Sequence, residues 1–488
     1  MLPICGIISG HGGQGVEIGM NSRRLLLLMN SLKLGGMTAF ICGVIALFAA
    51  LYIRGSRLAD KWYRYFFVLF LPIPYYIYAL SWMYLTRFLG NWWPQILKYS
   101  MQGFGACVFV EVLTYLPIAV LFILTALEKV SADAEDMAIV YGSPLRSLIG
   151  VVLPEIFPYI MAAVGCIFTL SVTDFSVPSM FQYNTFALEI FSVYSRTGDA
   201  WQACVLAIPL VVILCLPIYL IAQGGSRIGF PVMKRRRAGY AYPAVIRGGM
   251  IGAFGVVCIQ IVIPVITFIL CVESMDAFLQ SVEMINEQLL ISIGISLIAA
   301  ALTVILVASP AVILAKSKAV WAWMLGLITL AFPGALQAMG LLSVINGSLL
   351  HGVSTTMLLP ALGCAIRYMP FALMVLATAI RGLDRNAIEM VRVMAPDRWS
   401  MFRLIIRMLL HGIICAAGIV FFLTLGEEGI MLVLMPPGLE TASVKIYNYL
   451  HYGASQYVSG FCLVIVAVIL LIEMVGVILV KRRGGRRG

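Results

Sequence analysis

Residues Leu127 to Pro154 read LEKVSADAEDMAIVYGSPLRSLIGVVLP, a polar and charged insert between two long apolar runs. A counterpart lies in the other half of the chain: Ile380 to Arg407 read IRGLDRNAIEMVRVMAPDRWSMFRLIIR, again between apolar runs, and the two superpose without a gap at an offset of 253. The offset reaches beyond the loops. Tyr115 and Pro117 meet Tyr368 and Pro370, Thr125 and Ala126 meet Thr378 and Ala379, Met137 meets Met390, Gly165 meets Gly418, and Asp174 meets Glu427. A fixed offset over about sixty residues is the mark of an internal duplication, and it sets the architecture.

The 488 residues are 62% hydrophobic and 11% charged, whereas a soluble domain carries about 25% charged residues. The class is therefore an all-α, polytopic membrane protein, since an open sheet edge cannot be satisfied in lipid. The net charge of +11 lies in short clusters between apolar runs. It reports membrane orientation rather than a nucleic-acid partner. The 11 cysteines are scattered singly, without a CxxC pair or a Cys/His grouping at metal spacing, and read as small core residues. No metal site is expected, and no cleavable signal peptide is evident before Gly10.

A hydrocarbon core of ~30 Å needs ~20 helical residues. Eleven runs qualify, in a 5+6 arrangement: 31–53, 65–86, 101–127, 149–173 and 201–222, then 250–272, 289–315, 320–343, 352–379, 404–426 and 457–480. This divides the chain into a flexible tail (1–22), a first repeat (23–223) with its loop at 128–148, and a linker (224–249). A second repeat (250–480) with its loop at 381–403 and a basic tail (481–488) follow. Arg54, Arg57, Lys61, Arg64, Arg146, Lys234 to Arg237, Lys316, Lys318 and the arginines from Arg381 to Arg407 fall on one side of the spans. Asp174, Glu189, Asp199, Glu273, Asp276, Glu283, Glu287, Glu427, Glu428 and Glu440 fall on the other. Both duplicated loops are thereby cytoplasmic. The amino terminus fits this badly, because five spans start it outside although Arg23, Arg24 and Lys33 flank the first span. The second half also has a leading span, 250–272, that the first half lacks, so either that helix is lost or the first residues are not the native start.

Two parallel bundles with one polar loop each on the same side suit two-fold assembly around a central pathway. Glu135, Asp136, Ser143 and Arg146, and Glu389, Arg392, Asp397 and Arg398, are placed to present short amphipathic helices to a soluble partner. Met137, Ile139 and Val140, or Met390, Val391 and Val393, supply apolar contacts, and Pro144 and Pro396 end or restart a helix. The plainer alternative is a pair of ordinary solvated loops. Repetition at one offset favours a shared task.

At these residues the sequence resembles a known family. Glu135 to Pro154 resemble the EAA loop of binding-protein-dependent ABC importer permeases, with Glu135, Gly142, Ser143, Pro144, Leu153 and Pro154 in or beside the expected places. Asp136 and Met137 replace the paired alanines. In the second copy Glu389, Ala395, Trp399 and Phe402 fit if the register moves by one residue. Asn30-Ser31-Leu32, LPIPYYIYALSWM from Leu71 and AFPGALQAMGLL from Ala331 resemble fused permeases that carry both halves on one chain. Thr173 to Pro178, Pro436-Pro437-Gly438 and His451 to Ala454 resemble the ferric-iron type, with polyamine, thiamine and aminoethylphosphonate permeases sharing the plan.

The resemblance implies a type I importer permease fold in a bacterial inner membrane and a transport subunit rather than an enzyme. Two copies of a separate ATPase would hold Glu135, Asp136, Gly142, Ser143, Glu389 and Ala395 as coupling contacts. A periplasmic or lipid-anchored binding protein would deliver solute near Asp174, Glu427 and Glu428. This chain would bind no cofactor, with ATP and Mg on the partner, and it has no Walker motif.

Charges within spans carry a cost. Glu111 and Arg367, at corresponding ends of matching helices, read as interfacial snorkelling, with pairing across the repeat as the alternative. Asp174 and Glu427 are expected to end helices at the outer face. Glu473 reads as a structural partner, and Tyr75, Tyr76, Tyr78, Trp82, Trp92 and Trp93 as an interfacial belt. The rival from another class is an ion-coupled secondary transporter, which needs ionisable residues deep in the spans.

Overall fold

The computed structural model describes residues 21–55, 73–90, 101–227, 244–272, 274–346, 351–395, 397–451 and 455–484. Expectations for the 1–22 tail up to residue 20, for Arg57, Lys61, Arg64, Trp92, Trp93, Lys234 to Arg237 and Pro396 lie outside them. Among the described residues every regular element is helical. The first half contributes α1 (Ser22–Gly55), α2 (Tyr75–Gly90), α3 (Gly103–Leu127), α4 (Ala132–Val140), α5 (Pro144–Thr173), α6 (Ser176–Met180), α7 (Phe186–Thr197) and α8 (Ala200–Arg227). The rest contributes α9 (Ala244–Cys271), α10 (Met275–Lys316), α11 (Val320–Ala331), α12 (Gly334–Asn346), α13 (Leu358–Arg381), α14 (Arg385–Met394), α15 (Arg398–Leu425), α16 (Gly429–Leu434), α17 (Ala442–His451) and α18 (Ser455–Gly484).

Nine of these helices are long and apolar enough to cross a membrane, among the described residues. They match nine of the eleven expected runs. The run 320–343 is not one straight span: α11 and α12 meet at 91°. Phe332 and Pro333 form the corner, with no helical hydrogen bond available from the proline nitrogen. Of the run 65–86 only α2 is described, and it corresponds to α12, with Pro74 standing where Pro333 stands.

The two halves pack alike. α1 lies along α3 and α5 as α10 lies along α13 and α15, and α3 meets α5 as α13 meets α15. α9 is the leading helix without a described counterpart, and it crosses to the first half, packing on α1 and α2 as well as on α18. The first-turn arginines find a local answer at the end of the bundle away from the loops. Arg23 Nη2 lies 3.2 Å and Arg24 Nε 3.8 Å from the Glu189 carboxylate of α7, and Phe186 N donates to Ser31 Oγ at 2.8 Å. These contacts pair both arginines with one carboxylate at that end of the bundle.

Each loop is a helix, a break and a second helix, with a side-chain cap at both starts. Ser131 Oγ accepts from Ala134 N (3.4 Å) and Asp384 Oδ1 from Asn386 N (3.0 Å), at the offset of 253. The second caps are Ser143, accepting from Arg146 N at 3.2 Å, and Asp397, accepting from Trp399 N and Ser400 N at 3.0 and 3.2 Å. They are 254 apart, so α14 holds one residue more than α4. The first repeat regains it in α5, where Leu148–Val152 form a π-turn, the helical form of a one-residue insertion. The ungapped offset therefore conceals two compensating shifts.

Candidate functional site

The exposed faces of α4 and α14 each carry a group of apolar side chains among polar ones. Met137, Val140 (79% exposed) and Tyr141 on the first loop match Met390, Val393 (86% exposed) and Met394 on the second, each at an offset of 253. Ile149 and Phe402, also exposed, match as well. Exposed apolar side chains on a polar loop mark a contact surface, and here the same surface appears twice at the same end of the bundle.

Glu135 is turned the other way. It is 2% exposed, and its Oε2 accepts from Arg54 Nη2 of α1 at 2.7 Å, while Ser147 Oγ donates to its carbonyl at 3.3 Å. Burial holds its carboxyl above the usual range in spite of Arg54. Glu389 is exposed, as are Gly142 and Ser143, while Asp136 and Ala395 are half-buried. Ser143 serves as a helix cap. Counted from the first cap, Glu389 matches Asp136; counted from the second, it matches Glu135. The extra residue in α14 makes the difference, and it leaves Glu135 turned to the bundle and Glu389 exposed.

A second feature lies deep between the repeats. From Leu127 back to Tyr115 on α3 is twelve residues, ~18 Å of helix, and α3 runs on for as many again to Gly103. Asp174 follows the end of α5, whose Ser171 Oγ donates to Glu111 of α3, and it lines one cavity of about 90 Å³ together with Tyr115. Both carboxylates are buried between helices, Asp174 at 9% and Glu427 at 4% exposure. Tyr115 and Tyr368, Asp174 and Glu427, and Tyr75 and Gly334 line the cavity as pairs contributed by the two halves. It has room for several water molecules.

Both carboxylates start a short helix. Asp174 accepts from Ser176 N (3.0 Å) and Val177 N (3.3 Å); Glu427 Oε1 accepts from Ile430 N (3.1 Å). Glu427 Oε2 also accepts from Tyr368 Oη and lies 3.6 Å from Arg367 Nε. Arg367 reaches Phe332 O at 3.4 Å, in space left by Gly334, whose Cβ would stand 2.9 Å from the guanidinium carbon. The halves touch through Gly426, where a Cβ would stand 3.0 Å from the Pro74 ring. With Asp174 held by backbone amides and Glu427 by Arg367 and Tyr368, the cavity offers a bound polar solute phenols and a counter-charged pair rather than bare carboxylates. Among the described residues no three His, Cys, Asp or Glu side chains gather as metal ligands.

Several readings of single residues change. Glu111 is fully buried on α3, not snorkelling, and it accepts from Thr38 Oγ1 at 3.1 Å and from Ser171 Oγ. It is not paired with Arg367, which belongs to Glu427. Glu428 is buried as well, and Glu473 has both carboxylate oxygens buried without a hydrogen-bond partner among the described residues. Tyr76 and Tyr78 are core residues rather than a belt. Arg367 is the cavity-lining residue that sequence reading undervalued. A signal was present, since it stands at the repeat position of Thr114 and so breaks the symmetry with a charge.

Residues 43–228 match the family described as "Binding-protein-dependent transport system inner membrane component". That stretch holds most of the first repeat, including its loop and the Asp174 side of the cavity. Over that stretch the chain resembles inner-membrane components of binding-protein-dependent transport systems, and nine of its described helices are long and apolar enough to cross a membrane. Among individual proteins it is similar to the Fe(3+)-transport system permease protein FbpB 2 of Haemophilus influenzae, 22% identical over 92% of this chain and 88% of that protein. It is also similar to the spermidine/putrescine transport system permease protein PotC homolog of Mycoplasma genitalium, 27% identical over 40% of this chain and 67% of that one. No solved structure matches the chain.

Proposed function

We propose that this chain forms the translocation pathway of an ATP-driven importer of ferric iron, with each coupling loop seated on one of two copies of a separate ATPase. The observation that carries the reading is the repeated apolar face, Met137, Val140 and Tyr141 on one loop and Met390, Val393 and Met394 on the other, at one end of a duplicated bundle. Two like surfaces call for two like partners. The side-chain contacts are apolar, with Glu389 at the rim of the second face and Glu135 withdrawn to Arg54. Closure of the ATPases would drive α4 and α14 together and shift the bundle between two states, with the Tyr115, Tyr368 and Arg367 cavity as the point that opens. Support for ferric iron comes from the likeness over nearly the whole length to a permease named for Fe(3+), against a shorter likeness to one named for spermidine and putrescine.

The test is purification of the chain in mild detergent from its own membranes, followed by reconstitution in vesicles with its binding protein and ATP. Labelled ferric citrate and labelled spermidine are compared as solutes. Val140→Asp with Val393→Asp should release the ATPase and abolish ATP-dependent uptake while the chain stays folded. Retention of the ATPase in that variant overturns the docking faces, and uptake of spermidine without iron overturns the solute.

A further inference from the structure

Arg381 is the last residue of α13, three positions before the Asp384 cap of α14. A guanidinium carries five N–H donors, and in Arg381 they meet five backbone carbonyls. Nε donates to Ala315 O at 3.0 Å, Nη1 to Gly225 O and Ser226 O at 2.9 and 3.0 Å, and Nη2 to Leu314 O and Ser317 O at 2.9 and 2.6 Å. These carbonyls lie in the last turns of α8 and α10 and at the cap that follows α10. Carbonyls of a last turn lack the usual i+4 partner, Leu314 O accepting instead from the Ser317 cap amide at 3.2 Å, and the negative ends of two helix dipoles converge on the cation. The same guanidinium stands 4.9 Å over the ring of Trp323 on α11, a fully buried side chain whose Nε1 donates to Ser317 O at 3.4 Å.

One side chain at the root of the second coupling loop therefore holds α8 of the first half together with α10 and α11 of the second. The first loop has a different root. Position 128, the repeat match of 381, is a glutamate, and its neighbour Lys129 donates to Tyr159 Oη at 3.2 Å, which donates in turn to Arg227 O at 3.2 Å. That chain of bonds links α5 and α8, both in the first half.

We infer that Arg381 is the positioning residue through which displacement of α14 reaches both halves, so that movement of one coupling loop is felt across the repeat junction. The inference rests on the ATPase-driven reading above. A planar fork of fixed donors suits this task, because it moves only with the helix ends it holds; a lysine has three donors and no such plane.

The experiment measures ATP hydrolysis and ATP-dependent ferric citrate uptake on the same vesicles for the wild type, Arg381→Ala and Arg381→Lys, with bound ATPase quantified. In Arg381→Ala the solute moved per ATP should fall about tenfold, within the usual span of coupling between sites, while bound ATPase and hydrolysis stay within about twofold. Arg381→Lys should fall between. A merely structural role would lower hydrolysis, uptake and assembly together, and that result overturns the inference, as does an unchanged ratio. If Arg381→Ala does not assemble, Arg381→Lys decides on the same ratio. A wild-type chain without ATP-dependent uptake of either ferric citrate or spermidine overturns the importer reading and this inference with it.

Discussion

Removal of Arg54 should loosen the first coupling loop by an amount the structure bounds. The Arg54 Nη2 to Glu135 Oε2 contact is 2.7 Å, with side-chain exposures of 22% and 2%. At an effective dielectric near 20 the gross attraction is about 6 kcal/mol, most of it offset by desolvation, because the Glu135 carboxyl still lies above its usual range. In Arg54→Ala the carboxylate is left buried without its counter-charge, a defect of about 3 to 5 kcal/mol for a fully buried pair. Glu135 can escape by taking up a proton, which at pH 7 costs roughly 3.7 kcal/mol from an ordinary glutamate and less from one already raised. The expected loss is then about 2 to 3 kcal/mol of loop docking, or roughly 30- to 150-fold faster amide exchange in α4. The sign with pH follows from the same residue. With Arg54 gone the native carboxyl is raised further, the native state binds the proton more tightly, and the variant recovers as pH falls through that raised value. Adding Glu135→Gln to Arg54→Ala should restore slow exchange at pH 7 by removing the buried charge. Exchange within about threefold of the wild type, or no rescue by the glutamine, would refute the reasoning.

Other consequences can be checked together. Glu427→Gln leaves Arg367 buried beside a neutral amide and should cost about 3 kcal/mol, seen in detergent as a fall of about 3 °C in Tm for a chain of this length. Gly334→Leu drives a side chain into the Arg367 guanidinium and should disturb the same pair; combined with Glu427→Gln the losses should be less than additive, and full additivity would separate the two sites. Lys129 has its pKa lowered to about 8, by burial first and by Arg381 second. At pH 8 about half of it is neutral, against roughly 0.4% of an ordinary lysine, so an amine acylating reagent should mark Lys129 ahead of the exposed lysines at that pH. Equal labelling of Lys316 and Lys318 would count against the burial of its charge.

Much of the architecture was legible in the sequence because its causes are local. Apolar runs of about twenty residues can only be helices in lipid, and loop charge orients them. The matching loops at Leu127 to Pro154 and Ile380 to Arg407 disclosed the duplication and the common face of the two loops. The candidate site was legible in outline only. Glu135 and Glu389 both looked like outward coupling residues, but α4 and α14 differ by one residue. One residue turns a helical side chain by about 100°, enough to take it from the outer face to the bundle. Asp174 and Glu427 looked like outer-face residues because they follow apolar runs. Their burial depends on which helices pack over them, which no local pattern records.

By itself the sequence determined a duplicated, all-helical membrane protein with both polar loops on one face, since hydropathy, repeat offset and charge act residue by residue. Tertiary structure alone decided that the offset of 253 hides a one-residue gain in α14 answered by the π-turn at Leu148–Val152, and that α9 crosses to the first half. It also decided that Glu135 closes on Arg54, and that Arg367 and Arg381 each fasten groups far apart in the chain. These outcomes depend on which helix ends meet in three dimensions. A side chain's partner is fixed by the depth and rotation of its neighbour, and neither quantity is carried by the residues around it.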